Sequence, residues 1–541
     1  MRKLDIDLFD DEGRLCVRLG GFSTRAADAP APADVTATTT LTASTGPLLF
    51  TPQWTVAAAP TAPTAEHARR QVLLSSELQH LATALKAVLP GAGCEVLPAR
   101  PRLSERYEAA TLALLQAMQS TPSAARLVQL VHSTDGDAAC MAGLSGLLKT
   151  ARHEHPQLIA QAIGLAAAPT ANALVAALND AARRPDEAVL RYDGGQPSVP
   201  SWQEFAPAAP ADWSWRDGSV VLITGGAGGI GWAVAREIAA HVDSPVLVLS
   251  GRSPLDDDKR RRLEALHALG AEAVYRQADV TDALAVRGLV EGIVESFGGL
   301  HTILHAAGVV HDGFLLKKTA HDARAVLAPK VAGLLALDDA TRELVLDRFV
   351  LFSSVSAALG NAGQGDYAAA NAFMDAFAAR RNEGVRAGRR HGRTLAVNWP
   401  LWEEGGMGGD EVREHVRAQG WDVLSTAAGV QAMLDALASG ADRVMVIAGR
   451  HERIRAKLLR SATPKAEPAG VESGALQRLV ASALRQSVSA MLKVSVDEIE
   501  LDAELSEYGM DSIRFTQLAN ELNRRYGLSL VPTVFFEHTS L

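Results

Sequence analysis

Ser354 and Tyr367 stand thirteen residues apart in LFSSVSAALGNAGQGDYAAANAF, and Asn371 follows four residues after the tyrosine. A helix beginning near Tyr367 puts Asn371 on the same face, because residues four apart are helical neighbours. Reducing a carbonyl by hydride requires an acid for the developing alkoxide and a second donor that orients the oxygen. Tyr367 and Ser354 supply that pair. A phenol of ordinary pKa about 10 becomes a useful acid-base group where a nearby cation favours its ionised form. Taken singly, each residue also has a structural reading, Ser354 as a strand-end turn and Tyr367 as core.

A hydride must come from somewhere, and the sequence offers a nucleotide site. The strand-like SVVLIT runs straight into GGAGGIGWAVAREIAA, where Thr224, Gly225, Gly229 and Gly231 fit the spacing TGxxxGxG. Glycines there let backbone N–H groups approach a pyrophosphate, and the positive end of the following helix faces its charge. Gly226, Gly228 and Ile230 complete the turn. After the next strand comes SGRS, contributing Ser250, Arg252 and Ser253. An NAD enzyme often places an acidic residue at this point; a guanidinium suits a 2'-phosphate, which favours NADPH. Asp279 and Val280 close the third strand, and Asp279 fits either an adenine contact or a helix cap within ADVTDA.

The elements that carry these residues form a regular pattern. From residue 219 the segments SVVLIT, SPVLVLS, AEAVYRQ, LHTILHA, DRFVLFSS, RTLAVNW and DRVMVIAG alternate with helical stretches, which predicts an α/β doubly wound, Rossmann-like sheet. Residues 47–216 carry similar signals, such as RLVQLVH before MAGLSGLLKTARHEH, but lack the Gly-rich turn and read as a scaffold. NWPLWEEGGMGG follows the penultimate strand, and its position suits a lid over nicotinamide and substrate that includes Trp402 and Met407. The competing reading packs Trp399 and Trp402 for stability. Stretches 26–46 and 461–470, rich in Ala, Pro, Thr and Ser, read as linkers. Beyond them, amphipathic VESGALQRLVASALRQSVSAML and SIRFTQLANELNRRYG predict a small all-α bundle.

Composition narrows the function classes. At 541 residues the chain suggests several domains, and 48% apolar with 21% charged residues is ordinary for a globular protein. A net charge of -9 with pI near 5.9 argues against nucleic acid as the main partner. No apolar run approaches the ~20 residues of a membrane span, and the acidic start MRKLDIDLFDDEGR is unlike a signal peptide, so the expected location is the cytoplasm. Cys16, Cys94 and Cys140 are too scattered to suggest a metal site or disulfide framework.

Short-chain dehydrogenases usually carry a lysine four residues after the active tyrosine, where this chain has Asn371. With Lys330 upstream in LAPKVAG, the chain resembles polyketide synthase ketoreductases, in which lysine and asparagine have exchanged places. The resemblance implies that Lys330, Ser354, Tyr367 and Asn371 form the catalytic set. It also implies stereocontrol: of the LDD signature of D-alcohol producers, HAAGVVHDG keeps only the last position, Asp312. The opposite class has tryptophan eight residues before the tyrosine, where Leu359 stands. A D-configured alcohol is expected, and the absence of proline two residues after Tyr367 resembles enzymes that do not epimerise.

YGMDSIRFTQLANELNRRYGLSL resembles an acyl carrier, with Ser512 as the attachment point for 4'-phosphopantetheine. A serine opening a helix can offer its hydroxyl to a transferase while the helix dipole favours the added phosphate. The implied organisation is residues 1–25 as the end of a preceding dehydratase, 47–216 and 217–460 as the structural and catalytic halves of a ketoreductase, and 471–541 as a carrier lacking its last helix. The implied partners are a carrier-bound β-ketoacyl substrate, neighbouring dehydratase, ketosynthase and acyltransferase domains, and a phosphopantetheinyl transferase. FLLKKT and NWPLWEEGGM resemble synthases served by a separate acyltransferase. Two alternatives stay open: a catalytically silent ketoreductase beside a working carrier, and a free-standing dehydrogenase with a C-terminal interaction module.

Overall fold

The computed structural model describes residues 3–9, 15–23, 45–60, 69–119, 126–166, 169–207, 211, 215–405, 410–418 and 420–459. Of the C-terminal stretch it describes 484–489, 491–492, 495, 499, 505, 508, 510, 512–526 and 535. Both linkers fall largely or wholly outside this set. The chain divides into two compact units, Met1–Ser44 and Thr45–Leu541. The first is an antiparallel pair, β1 (Lys3–Phe9) with β2 (Leu15–Ser23).

The second unit holds a sheet whose strands are β3 (Thr45–Val56), β4 (Arg69–Leu74), β5 (Ala92–Val96), β6 (Arg126–Ser133), β7 (Leu158–Leu165), β8 (Val189–Asp193) and β9 (Gln196–Phe205). It continues through β10 (Val220–Thr224), β11 (Val246–Gly251), β12 (Glu272–Gln277), β13 (Thr302–His305), β14 (Arg348–Ser354), β15 (Arg393–Trp399) and β16 (Arg443–Arg450). All seven strands expected after residue 219 are present. Their pairings with one another are parallel, and β10, β13 and β14 are almost wholly buried, as strands covered by helices on both faces must be.

The spatial order is β12-β11-β10-β13-β14-β15-β16-β3-β9-β8-β7-β6-β4-β5. Two parallel sheets are therefore one, joined by antiparallel pairings of β16 with β3, β3 with β9, and β9 with β8. In each half the leading parallel strand, β4 or β10, lies between two neighbours that follow it in sequence. That is the topological switch point where such sheets bind ligands.

Helices bordering the Gly-rich turn, the catalytic candidates or the contact between the two halves include α1 (Leu103–Gln119), α2 (Ser145–Glu154), α3 (Gly229–His241), α4 (Val355–Leu359) and α5 (Gly365–Arg386). α5 is buried over most of its circumference because the first half packs directly on it. A Cβ on Gly146 would lie 2.4 Å from the Ala368 carbonyl oxygen, and one on Gly143 would lie 2.7 Å from the Phe373 nitrogen. Glycine at these positions allows backbone-to-backbone contact. Tyr107 of α1 donates to the Ala369 carbonyl (2.8 Å) and sets its ring edge-on to Phe373 at 4.7 Å. Another helix, α6 (Ser512–Tyr526), shares a separate cluster in which Phe515 stacks on Phe535 at 5.7 Å over Val488, Leu518 and Leu522.

Candidate active site

β10 ends at Thr224 and the chain turns through Gly225, whose φ of +70° is left-handed. Its N–H donates to the Ser250 carbonyl (2.8 Å), fixing the turn to β11. A Cβ on Gly231 would fall 2.6 Å from the Gly225 carbonyl oxygen, so only glycine lets α3 start this close to the strand. The α3 N-terminus has Gly228 as its cap residue, no side-chain cap bond and no acidic residue in its first turn. The helices that follow β11 and β12 are instead closed by side chains, as Asp256 accepts from Lys259 N–H and Asp282 from Leu284 and Ala285 N–H. The turn thus has the open N–H groups and close approach that a pyrophosphate requires.

Around it, Arg252 and Ser253 are exposed just beyond β11, while Ser250 is buried with an unpartnered hydroxyl. Asp279 accepts from the Thr281 N–H (2.9 Å) and hydroxyl (2.8 Å), and the helix cap belongs to Asp282 instead. Val280 is buried against Gly333. Arg262, which no spacing motif in the sequence marks, donates to the Ala227 carbonyl inside the turn and lies 5.5 Å over the Trp232 ring.

The four catalytic candidates converge at the ends of β14 and α5. Ser354 is the last residue of β14 and the cap of α4, accepting from Ser356 N–H at 3.2 Å. Tyr367 and Asn371 lie one turn apart on α5; the Asn371 amide donates to the Tyr367 carbonyl (2.8 Å) and its Oδ1 is buried without a partner. Lys330 sits in a π-helical turn, Pro329–Gly333, which continues the helix Ala320–Ala328. Such turns redirect a side chain within a helix and are frequent at functional sites. Its amine donates to the Phe352 carbonyl (3.0 Å) and lies 5.7 Å from the centre of the Tyr367 ring.

Burial governs the titration of these groups. It pushes the Lys330 amine down to about 7, opposed only by Asp375. Burial also raises the Tyr367 phenol, and the Asn371 and Ser354 side chains, which favour the phenolate, recover part of that shift. On balance burial dominates, and the phenol lies above its ordinary value. His305 joins the two regions. Its Nε2 donates to the Pro329 carbonyl (3.1 Å), so Nδ1 accepts from the Thr224 hydroxyl (2.8 Å), and burial keeps the ring neutral by pushing its pKa down to about 3.

Beneath Asn371 the same helix face carries Asp375, which accepts from Asn398 (2.9 Å) and pairs with Arg443 (3.2 Å). The four-residue step that links Tyr367 to Asn371 leads on to Asp375, the signal in the sequence that marks it. Asp312 lies opposite Gln364, which donates to it at 3.0 Å. Leu359 packs on the cluster of Leu48, Met445 and Ile447. Trp402, expected in a lid, is core: it is 1% exposed, lies edge-on to Trp399 at 5.0 Å, and has Gly429 under its ring. The packed alternative holds for this residue because its indole fills the space below β15. Met407 lies outside the described residues. The preceding segment reaches the Gly-rich turn, since a Cβ on Gly229 would sit 2.4 Å from the Gly405 carbonyl oxygen. Among the described residues no cluster of His, Cys, Asp and Glu could hold a metal, and no helix is long and apolar enough to cross a membrane.

Comparison with known proteins places this geometry. The KR domain family matches residues 219–404 and the phosphopantetheine attachment site family matches residues 482–541. The crystal structure of a ketoreductase domain from the bacillaene assembly line is 37% identical with a TM-score of 0.73, covering 77% of this chain and all of that one. The chain belongs to the polyketide synthase ketoreductases. A ketoreductase from the macrolactin assembly line aligns over 76% of this ketoreductase chain and 94% of its own, with 27% identity and a TM-score of 0.63. Polyketide synthases PksN and PksL of Bacillus subtilis (strain 168) are 37% and 35% identical over the whole chain, which spans only 10% and 12% of their lengths. The ketoreductase is therefore accompanied by a phosphopantetheine-binding domain, and α6, which begins at Ser512, lies within it.

Proposed function

We propose that this ketoreductase reduces a β-ketoacyl thioester, carried on a phosphopantetheine arm at Ser512, to the D-configured β-hydroxyacyl thioester with NADPH as reductant. The observation that carries the reading is the convergence of Ser354, Tyr367, Lys330 and Asn371 beside an uncapped Gly-rich turn. When bound, the nucleotide supplies the hydride that reaches the β-carbonyl carbon. Thr224 to Gly231 would hold its pyrophosphate, Arg252 its 2'-phosphate, and Asp279 and Val280 would border its adenine.

The remaining chemistry belongs to side chains. The protonated Tyr367 phenol gives its proton to the carbonyl oxygen as that oxygen becomes an alkoxide, and the Ser354 hydroxyl orients the same oxygen. Lys330, fixed by Phe352 and by the His305-anchored turn, contributes its positive charge below pH about 7. Asn371 anchors the first turn of α5. Asp312 at the site's edge supports the D-alcohol. The intact quartet argues against a silent domain, and the adjoining phosphopantetheine-binding domain argues against a free-standing enzyme. Flanking synthase domains, a phosphopantetheinyl transferase and the cytoplasm are the setting this reading implies.

A β-ketoacyl thioester surrogate assayed with NADPH and NADH tests the reading. NADPH should be preferred, Arg252→Ala should erode that preference without changing the NADH rate, and chiral analysis should find the D-alcohol. Equal use of both nucleotides, or an L-alcohol, contradicts the cofactor or stereochemical assignment respectively.

A further inference from the structure

α2 belongs to the half without the Gly-rich turn, yet one side of it is devoted to the catalytic half. Lys149, Thr150, His153 and Glu154 recur there at helical spacing, and all four bond main-chain groups between Ser354 and Tyr367. The Lys149 amine donates to the carbonyls of Ala358 (2.9 Å) and Ala357 (3.3 Å). The Asn361 N–H donates to the Thr150 hydroxyl (3.2 Å), and His153 Nε2 donates to the Leu359 carbonyl (2.9 Å). Gly360, with φ of +78°, lets the segment lie flush on the helix, since a Cβ there would fall 2.9 Å from the Lys149 carbonyl carbon.

Glu154 goes further. Wholly buried, it accepts from the Gly363 N–H (2.8 Å) through one carboxylate oxygen and from the Leu315 N–H (2.7 Å) through the other. Gly363 lies four residues before Tyr367, and Leu315 lies three after Asp312. The two loops so joined also meet directly, as Gly313 N–H donates to the Gly363 carbonyl (2.8 Å) and Gln364 to Asp312 (3.0 Å). Behind them the Lys318–Asp366 pair is buried at 3.1 Å, immediately before Tyr367.

We propose that the polar face of α2, with Glu154 at its C-terminal end, positions the two loops that border Tyr367, and so sets how the β-ketoacyl group is presented for reduction. This rests on the reading of the Tyr367 site as a β-ketoacyl reductase. The carboxylate is suited to the task because two converging N–H donors need an acceptor with two free oxygens. Glutamine has the same shape but turns an NH2 toward one of those donors, leaving that N–H unpaired in the interior. Because every bond runs to the main chain, the device does not depend on the side chains of the loops it holds.

The experiment compares the full chain with Glu154→Gln, Glu154→Asp and His153→Ala, using a β-ketoacyl thioester surrogate and NADPH. Glu154→Gln should raise KM for the thioester roughly tenfold, as expected for one unpaired buried donor, and increase the share of the minor alcohol configuration. NADPH affinity should stay at the wild-type value, because the Gly-rich turn is untouched. Glu154→Asp, too short to span both donors, should move the same way. His153→Ala, whose side chain is exposed, should do so more weakly, and it serves if both Glu154 variants fail to fold. A purely structural role would reduce the active fraction and leave KM and the product ratio unchanged; that outcome in the folded variants overturns the proposal. A wild-type chain that binds NADPH but never reduces the thioester overturns the underlying functional reading, and with it this one.

Discussion

At the end of β10 the chain passes through Gly225 to Gly231 into a helix whose first N–H groups are open. At the end of β4, the corresponding strand of the other half, it passes through Ser75 into the 3-10 turn Ser76–Leu81, which buries Leu78 and Leu81. The first turn there carries Glu77, already paired with Arg106 at 3.0 Å. An anion approaching β10 meets donors and the positive end of a helix; one approaching β4 meets a carboxylate and apolar side chains. Both halves have a switch point but differ in strand order, 2-1-3-4-5 beside β4 and 3-2-1-4-5-6-7 beside β10, and a few residues there separate a turn with the donors a pyrophosphate requires from one without them. The scaffold half uses its polar groups elsewhere: Gln129 and Gln161 bridge β6 and β7 (2.9 Å), and α2 grips the loop before Tyr367.

If chemistry resides wholly in the catalytic half, Tyr367→Phe should lower kcat by about 10²- to 10⁴-fold, the usual worth of a positioned acid, while NADPH affinity stays unchanged in a fluorescence titration. Next in size, Gly231→Ala forces a methyl group to 2.6 Å from the Gly225 carbonyl and should weaken NADPH binding at least about tenfold. Ser75→Ala, its counterpart in the other half, should have no effect, and calorimetry should find one nucleotide per chain. Binding at a second site would break the comparison.

The interlock between the halves predicts a stability effect. Gly146→Ala places a methyl group 2.4 Å from the Ala368 carbonyl oxygen and should cost about 1–3 kcal/mol in denaturant unfolding. A further effect is a pH trend. The buried Lys330 amine titrates near 7 when folded, against an ordinary 10.5, so the folded chain binds fewer protons than the unfolded one between those values. The destabilisation caused by Lys330 is therefore full below pH 7 and fades as pH rises toward 10. The Tm of Lys330→Met, measured relative to wild type, should fall steadily across that window.

Strands such as β10, β13 and β14 announce themselves in the sequence because parallel strands buried on both faces are near-continuous apolar runs, and the Gly-rich turn keeps its spacing because φ and close approach leave no other residue. Tyr367 and Asn371 share a face by helical arithmetic. Features hidden from the sequence depend on partners distant along the chain or on main-chain groups. The β16–β3 pairing that fuses the sheets joins segments hundreds of residues apart. Glu154 looks like a surface residue in KTARHEH because its partners are two N–H groups, which carry no side-chain signature. Trp402 sits in a glycine-rich stretch that reads as mobile, and only Trp399 and Gly429 reveal it as core.

The most direct test of the central claim tracks the tethered substrate itself. The Ser512 arm is loaded with a β-ketoacyl group, NADPH is added, and the Ser512 peptide is weighed by mass spectrometry. In the wild type the arm should gain the mass of one hydride and one proton, Tyr367→Phe should leave it unreduced over the same interval, and Ser512→Ala should carry no arm. An arm on Ser512 that NADPH leaves unchanged in the wild type, or that Tyr367→Phe reduces as fast, would contradict the claim.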